Sequence, residues 1–227
     1  MLDPLNIILL AVAAIVLWKL KSVLGERTGL EKRPQDPAPM RVERDNVVRL
    51  PGQNVPDVQP GLESEPVWKG YAEKNSAVAI GLEAIVVESR GFDVPSFMGG
   101  AKAAYEMILE AFAKGDKSAL KPLLSKDVLE SFAAAVDQRV KDGQSMAMQF
   151  VGVKSAKIES AKLDGKRAQI AVRFVGEMIS SVTDRDGNVI EGDNKHVRDV
   201  HDLWTFERDI STRDPNWKLI DTSDDNP

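Results

Sequence analysis

Apolar and polar residues alternate in three different ways along the chain. Residues 5–20 read LNIILLAVAAIVLWKL, in which only Asn6 and Lys19 are polar. At about 1.5 Å per residue this makes a helix of roughly 24 Å, and snorkelling by Lys19 and Lys21 with an interfacial Trp18 extends it toward a hydrocarbon layer of about 30 Å. Residues 1–22 are therefore expected to be a transmembrane anchor. Its apolar surface would come from Leu5, Ile7, Ile8, Leu9 and Leu10, then from Val12, Ile15, Val16 and Leu17, and would close at Trp18.

A cleaved signal peptide is the alternative, but such peptides open with positive charge and Met1-Leu2-Asp3-Pro4 carries an acid and no base. A helix lying in the interface needs a polar face, which residues 7–17 lack. Just after the span, Lys19, Lys21, Arg27, Lys32 and Arg33 outnumber Glu26 and Glu31. That bias predicts a single-pass protein of a bacterial inner membrane with its domain on the cytoplasmic side, the periplasmic side being the alternative.

In the second regime no period survives. Residues 23–75 are rich in polar side chains and carry Pro34, Pro37, Pro39, Pro51, Pro56, Pro60 and Pro66. Such a stretch buries too little apolar surface to offset its ordering entropy, so it is expected to be a disordered tether. Val47-Val48-Arg49-Leu50 is an isolated apolar cluster inside it and a candidate partner motif.

The third regime is periodic. Val78, Ile80, Leu82, Ile85 and Val86 approximate one helical stripe, giving a short lead-in over 76–98. After Gly99 and Gly100, the residues Ala101, Ala104, Tyr105, Ile108, Leu109 and Phe112 recur at helical spacing until Gly115. Asp116 and Ser125 are N-caps for two further helices, the second bearing Val128, Leu129, Phe132, Val136 and Val140. Beyond Gly143 the period falls to two, at Met146, Met148 and Phe150, at Ile170, Val172 and Phe174, and at Val200, Trp204 and Phe206. Turn chemistry at 163–166, 184–188 and 213–216 separates these runs. Helices first and strands afterwards predict an α+β domain over 99–222, with helices packed on a curved antiparallel sheet of about four strands, and a tail at 223–227.

Composition narrows the chemistry. A net charge of −5 argues against a nucleic-acid partner, which needs a basic face. The absence of cysteine removes disulfides, thiolate metal sites and a cysteine nucleophile. His196 and His201 lie five apart on a predicted strand and should point to opposite faces, which does not make a metal site. Ser211, His201 and Asp199 lack a nucleophile elbow. The acids Asp184, Asp186, Glu191 and Asp193 lack calcium-loop spacing and read as a solvated hairpin. No cofactor is expected.

Three segments, GAKAAYEMILEAFAKGD at 100–116, LKPLLSKDVLESF at 120–132, and VHDLWTFERDI running on to Asp214-Pro215-Asn216-Trp217, resemble the Tim44-like domain family. The likeness is to its bacterial TimA-type membrane-anchored members, relatives of the mitochondrial import-motor adaptor. The resemblance implies a cone-shaped, nuclear-transport-factor-2-like domain, an apolar cavity and a non-enzymatic adaptor role at the inner membrane. Expected partners are membrane lipids and an unidentified membrane or translocation-associated protein. Tyr105, Ile108, Phe112, Phe132, Phe174, Trp204 and Phe206 are the candidate pocket lining, ordinary core packing being the other reading. The alternative function is a membrane-tethered enzyme of the isomerase-like type, because related cone-shaped folds sometimes place Asp and Tyr inside the cavity. Asp202, on the strand face of Val200, Trp204 and Phe206, and Tyr105 would be its acid-base pair, unless Asp202 serves only to pair with Arg173 or Arg208.

Overall fold

The computed structural model describes residues 65–89 and 91–224. The expected anchor at 1–22, the expected tether as far as residue 64 and the last three residues lie outside the described residues. Among the described residues no helix is long and apolar enough to cross a membrane.

Among the described residues four helices precede four strands. Helix α1, Ala77–Glu88, starts where the Ser76 hydroxyl accepts from the Ala79 amide, and it buries Leu82 and Ile85. Gly81 is the contact point with the sheet: a Cβ there would run into the Ala161 carbonyl. Helix α2, Val94–Lys114, is capped by Asp93, whose carboxylate accepts from the Ser96 amide at 2.9 Å, and it has a proline in its first turn. Its start corrects the expectation of a helix beginning after Gly99 and Gly100, because both glycines lie inside it on the exposed side. An exposed helical glycine costs about 1 kcal/mol. Here the Asp93 cap and burial of Val94, Phe97 and Met98 outweigh that cost. Gly115 ends the helix in the left-handed region at φ 71°.

Helix α3, Lys117–Leu120, is capped by Asp116, and α4, Lys126–Lys141, by Ser125, as the residue pattern predicted. Strands β1 (Ser145–Asp164), β2 (Arg167–Thr183), β3 (Val189–Asp209) and β4 (Lys218–Asp224) form one antiparallel meander in the order β1-β2-β3-β4. The three turns fall at the predicted places, and in the second the Asp184 carboxylate accepts from the amides of Asp186 and Asn188. Three register shifts interrupt the β1–β2 ladder, and such bulges bend and twist the strand.

The helices cover one face. On it Ile170 lies opposite Phe206 and Val172 opposite Trp204, all four buried, and Leu82, Ile85, Tyr105 and Ile108 pack down from α1 and α2. Leu82 and Ile85 thus join the core of the sheet domain. Leu219 on β4 meets Leu123, Leu124 and Ser125 through backbone hydrogen bonds and a bridge, which ties the α3–α4 junction to the sheet edge.

Candidate functional site

At the centre of the covered face sits Tyr105, fully buried on α2. Its ring stacks on Phe174 with centroids 4.5 Å apart and planes 15° from parallel, and it meets Trp204 at 4.7 Å and Phe150 at 6.0 Å. The phenol hydroxyl donates to Asp202 Oδ2 at 2.6 Å, a short charge-assisted bond between residues 97 positions apart. Phe174 lies directly across the β2–β3 ladder from Asp202, so the aromatic platform and the acceptor are set by one register.

The clasp needs room beneath it, which Gly176 provides. A Cβ at Gly176 would come within 2.7 Å of the Tyr105 hydroxyl oxygen. Burial first, and then the neighbouring Asp202 carboxylate, disfavour the phenolate and push the Tyr105 pKa far above its ordinary range. Tyr105 is therefore a fixed proton donor at neutral pH. No buried side-chain nitrogen or oxygen among the described residues lacks a hydrogen-bond partner.

The seven candidate lining residues divide into two groups. Tyr105, Ile108, Phe174, Trp204 and Phe206 are buried together in one cluster. Phe112 and Phe132 are half-buried and pair edge-on between α2 and α4, with centroids 5.1 Å apart, and Phe132 also packs against the main cluster. Over that pair lies Arg139, whose guanidinium stands 5.2 Å from the Phe112 ring centre and donates to the carbonyls of Phe112 and Ala113 at 2.8 and 3.0 Å. It fastens α4 onto the carbonyl end of α2, and its burial lowers its pKa.

The remaining candidates scatter. His196 meets Asp193 within its own strand at 2.5 Å, and His201 is exposed. Ser211 donates to Asp209 in a turn. Arg173 Nε donates to Glu159, and Arg208 Nε to the Asp214 carbonyl. A cleft of about 310 Å³ lies at the β3–β4 turn, lined by polar groups including Ser125, Arg208, Asp209, Asp214 and Lys218. None of the seven aromatic and aliphatic candidates borders it.

Sequence reasoning named both members of the clasp but missed Gly176 and Arg139. An isolated glycine inside an apolar strand is a signal of close approach and could have marked Gly176. Nothing local marks Arg139, whose carbonyl partners are 26 and 27 residues away.

A helix layer over one face of a four-stranded meander, joined at its centre by a phenol–carboxylate clasp, defines an α+β domain whose interior is formed between the two layers. Residues 78–224 match the model of the Tim44-like domain, and the chain belongs to that family. An uncharacterized protein of Rickettsia prowazekii is 29% identical over 155 residues, covering 67% of this chain and 64% of the relative. Mitochondrial import inner membrane translocase subunit TIM44-1 of Arabidopsis thaliana is 23% identical over 135 residues, covering 56% of this chain and 28% of the relative. The chain thus matches less than two thirds of the length of either relative.

Among solved structures, the intermembrane space region of chloroplast protein ARC6 aligns at a TM-score of 0.40 with 12% identity, over 55% of this chain and 93% of that one. A ketosteroid isomerase-like protein from Erwinia carotovora atroseptica aligns at 0.30 with 15% identity, over 55% and 93%. Scores of this size carry no functional argument.

Proposed function

We propose that the protein is a non-enzymatic adaptor or scaffold held at a bacterial inner membrane by residues 1–22, with residues 23–64 as its tether, the expected tether being shortened because Val67, Trp68 and Tyr71 pack against the domain core. Its Tim44-like domain, of the cone-shaped kind, would face the cytoplasm and engage membrane lipid or a translocation-associated protein through apolar surface between helices and sheet. The observation that carries this reading is the family match across 78–224, together with a relative named as a subunit of a mitochondrial import translocase. A tether of about forty residues has a root-mean-square reach of roughly 30–40 Å, which keeps the domain at high local concentration near membrane complexes.

Cross-linking of the full chain in native membranes, followed by mass spectrometry, tests the reading. The expected products join the domain to components of a membrane complex. Recovery of the chain as a freely soluble form beginning beyond Trp18 would overturn it.

One observation favours an isomerase-like enzyme: the 2.6 Å bond between Tyr105 and Asp202. Against it, the Tyr105 ring is enclosed by Phe150, Phe174 and Trp204, and its hydroxyl is engaged with the carboxylate that would act as base. Asp202→Asn would abolish turnover without unfolding if the pair were catalytic. On the adaptor reading its effect is confined to stability.

A further inference from the structure

Helix α1 is apolar around its whole circumference: nine of its twelve residues are Ala, Val, Ile or Leu. A helix of that kind is ordinarily covered on every side. Its inner side meets this rule, with Ala79, Gly81, Leu82 and Ile85 buried, but Ile80 is 60% and Val87 78% exposed. At about 100° per residue, Ile80, Ala84 and Val87 form one outward stripe, bordered by Glu83 on one flank and Glu88 on the other. These two acids are the only charged residues of the helix.

Both flanks of the stripe are occupied. On one, the lead-in to the helix folds back so that Trp68 Nε1 donates to Glu83 Oε1 at 2.7 Å, while Val67, Trp68 and Tyr71 pack on the core. On the other, Lys166 of the β1–β2 turn meets Glu88 Oε2 at 3.0 Å. Among the described residues the stripe between them stays open, and each carboxylate keeps its second oxygen for a further cation. Trp68 lies level with the middle of α1, so the chain enters the domain beside that stripe. Fourteen residues, 51–64, separate this entry from Val47-Val48-Arg49-Leu50. A chain of that length has a root-mean-square span of about 20 Å, against about 18 Å for the length of α1.

We infer that residues 47–50 dock in cis on the outer stripe of α1. Val47, Val48 and Leu50 cover Ile80, Ala84 and Val87, and Arg49 reaches a flanking carboxylate, so the apolar stripe and its acidic border both find a complement. The short spacer makes the contact intramolecular, at an effective concentration on the order of millimolar, so a weak motif suffices. Under the anchoring proposed above, on which this consequence alone rests, docking leaves residues 23–46 as free tether and shortens the reach from roughly 36 Å to roughly 27 Å. A partner that competes for the motif or for α1 then lets the domain range farther from the membrane.

The chain has no cysteine, so Asn46→Cys with Val87→Cys supplies two thiols, one beside the motif and one on the stripe. Asn46→Cys with Val140→Cys, at an exposed position on α4, is the comparison pair. On mild oxidation of the full chain in detergent, the first pair should close within a single 24.9 kDa chain, read as a shifted monomer band on a non-reducing gel. It should close roughly tenfold faster than the comparison pair, the equivalent of about 1.4 kcal/mol. Arg49→Glu and Val48→Ser should each remove that advantage while leaving the domain intact, since both positions precede it. Equal rates for the two pairs, a first-pair rate indifferent to both substitutions, or a product of doubled mass overturns the inference. All of these are read without a bilayer, which keeps them separate from any failure of the anchoring.

Discussion

The two ends of the sheet are built differently. Where β2 runs from Ala168 to Phe174, every second residue is buried, α1 and α2 lie over it, and aromatic rings close the space between layers. Beyond Gly176 the covering thins. Met146, Met148 and Phe150 on β1 are half-buried, the outer part of β3 is exposed, and α4 contributes Val136 as its one buried residue. The same alternating pattern yields a dense interior at one end and an adaptable surface at the other, because burial depends on how many layers meet there. Stability should concentrate in the first region and recognition in the second.

The sharpest way to break that contrast is to empty the dense end. Phe174→Ala removes the ring on which Tyr105 stacks and should cost about 3–5 kcal/mol, read as a lower urea midpoint. A loss below about 1 kcal/mol would mean that the interior relaxes and is not the anchor of the fold.

Gly81→Ala tests the α1–sheet contact by addition instead of removal. Its new Cβ meets the Ala161 carbonyl, which cannot move without disturbing the β1 backbone, so a destabilisation of about 1–3 kcal/mol is expected in thermal melts. An unchanged melting temperature would show that α1 rides freely on the strand.

Tyr105→Phe keeps the ring and deletes the donor to Asp202, with an expected cost of about 1–3 kcal/mol. It also carries a pH signature. The folded Tyr105 pKa is raised, so the unfolded chain releases its phenolic proton first as pH climbs. Stability from this group is complete below about pH 10, the ordinary tyrosine value, and declines above it. Denaturation followed between pH 8 and pH 11 should show a steeper alkaline fall in the parent than in Tyr105→Phe; parallel curves would contradict the assignment.

At the α2–α4 seam, Arg139→Ala should cost about 1–2 kcal/mol, since two hydrogen bonds from a half-buried guanidinium hold α4 in place. Hydrogen exchange should rise in α4 before it rises in β2. Arg139→Lys should recover little, because an ammonium cannot reproduce the planar fork over Phe112.

The smallest effect is expected at Val140, which is on α4 and 68% exposed. Val140→Ala should shift stability by no more than about 0.5 kcal/mol. A large loss there would show that the open end is covered by something the described residues do not include.

Much of this arrangement could be anticipated. Asp116 and Ser125 sit as helix caps, and the turn residues at 184–188 adopt the turn they encode, because these preferences act within a few positions of the chain. The start of α2 was misplaced because Gly99 and Gly100 look like a boundary locally, and the cap that overrides them lies six residues upstream at Asp93. The strands extend beyond their alternating residues for a related reason. Alternation fades at the exposed ends of β1 and β3, where pairing continues without burial to enforce it.

Residue order alone thus determined the helix-then-strand layout, the caps, the hairpin positions and which face of each strand is greasy, since each follows from steric and hydrogen-bonding preferences over a handful of bonds. Only the tertiary structure decided that Tyr105 closes on Asp202 above Gly176, that Arg139 seals the end of α2, and that, among the described residues, the first half of β3 pairs with β2 and not with β4. Those outcomes depend on strand register and on helix placement, which couple residues tens of positions apart, and no short stretch of chain contains the information.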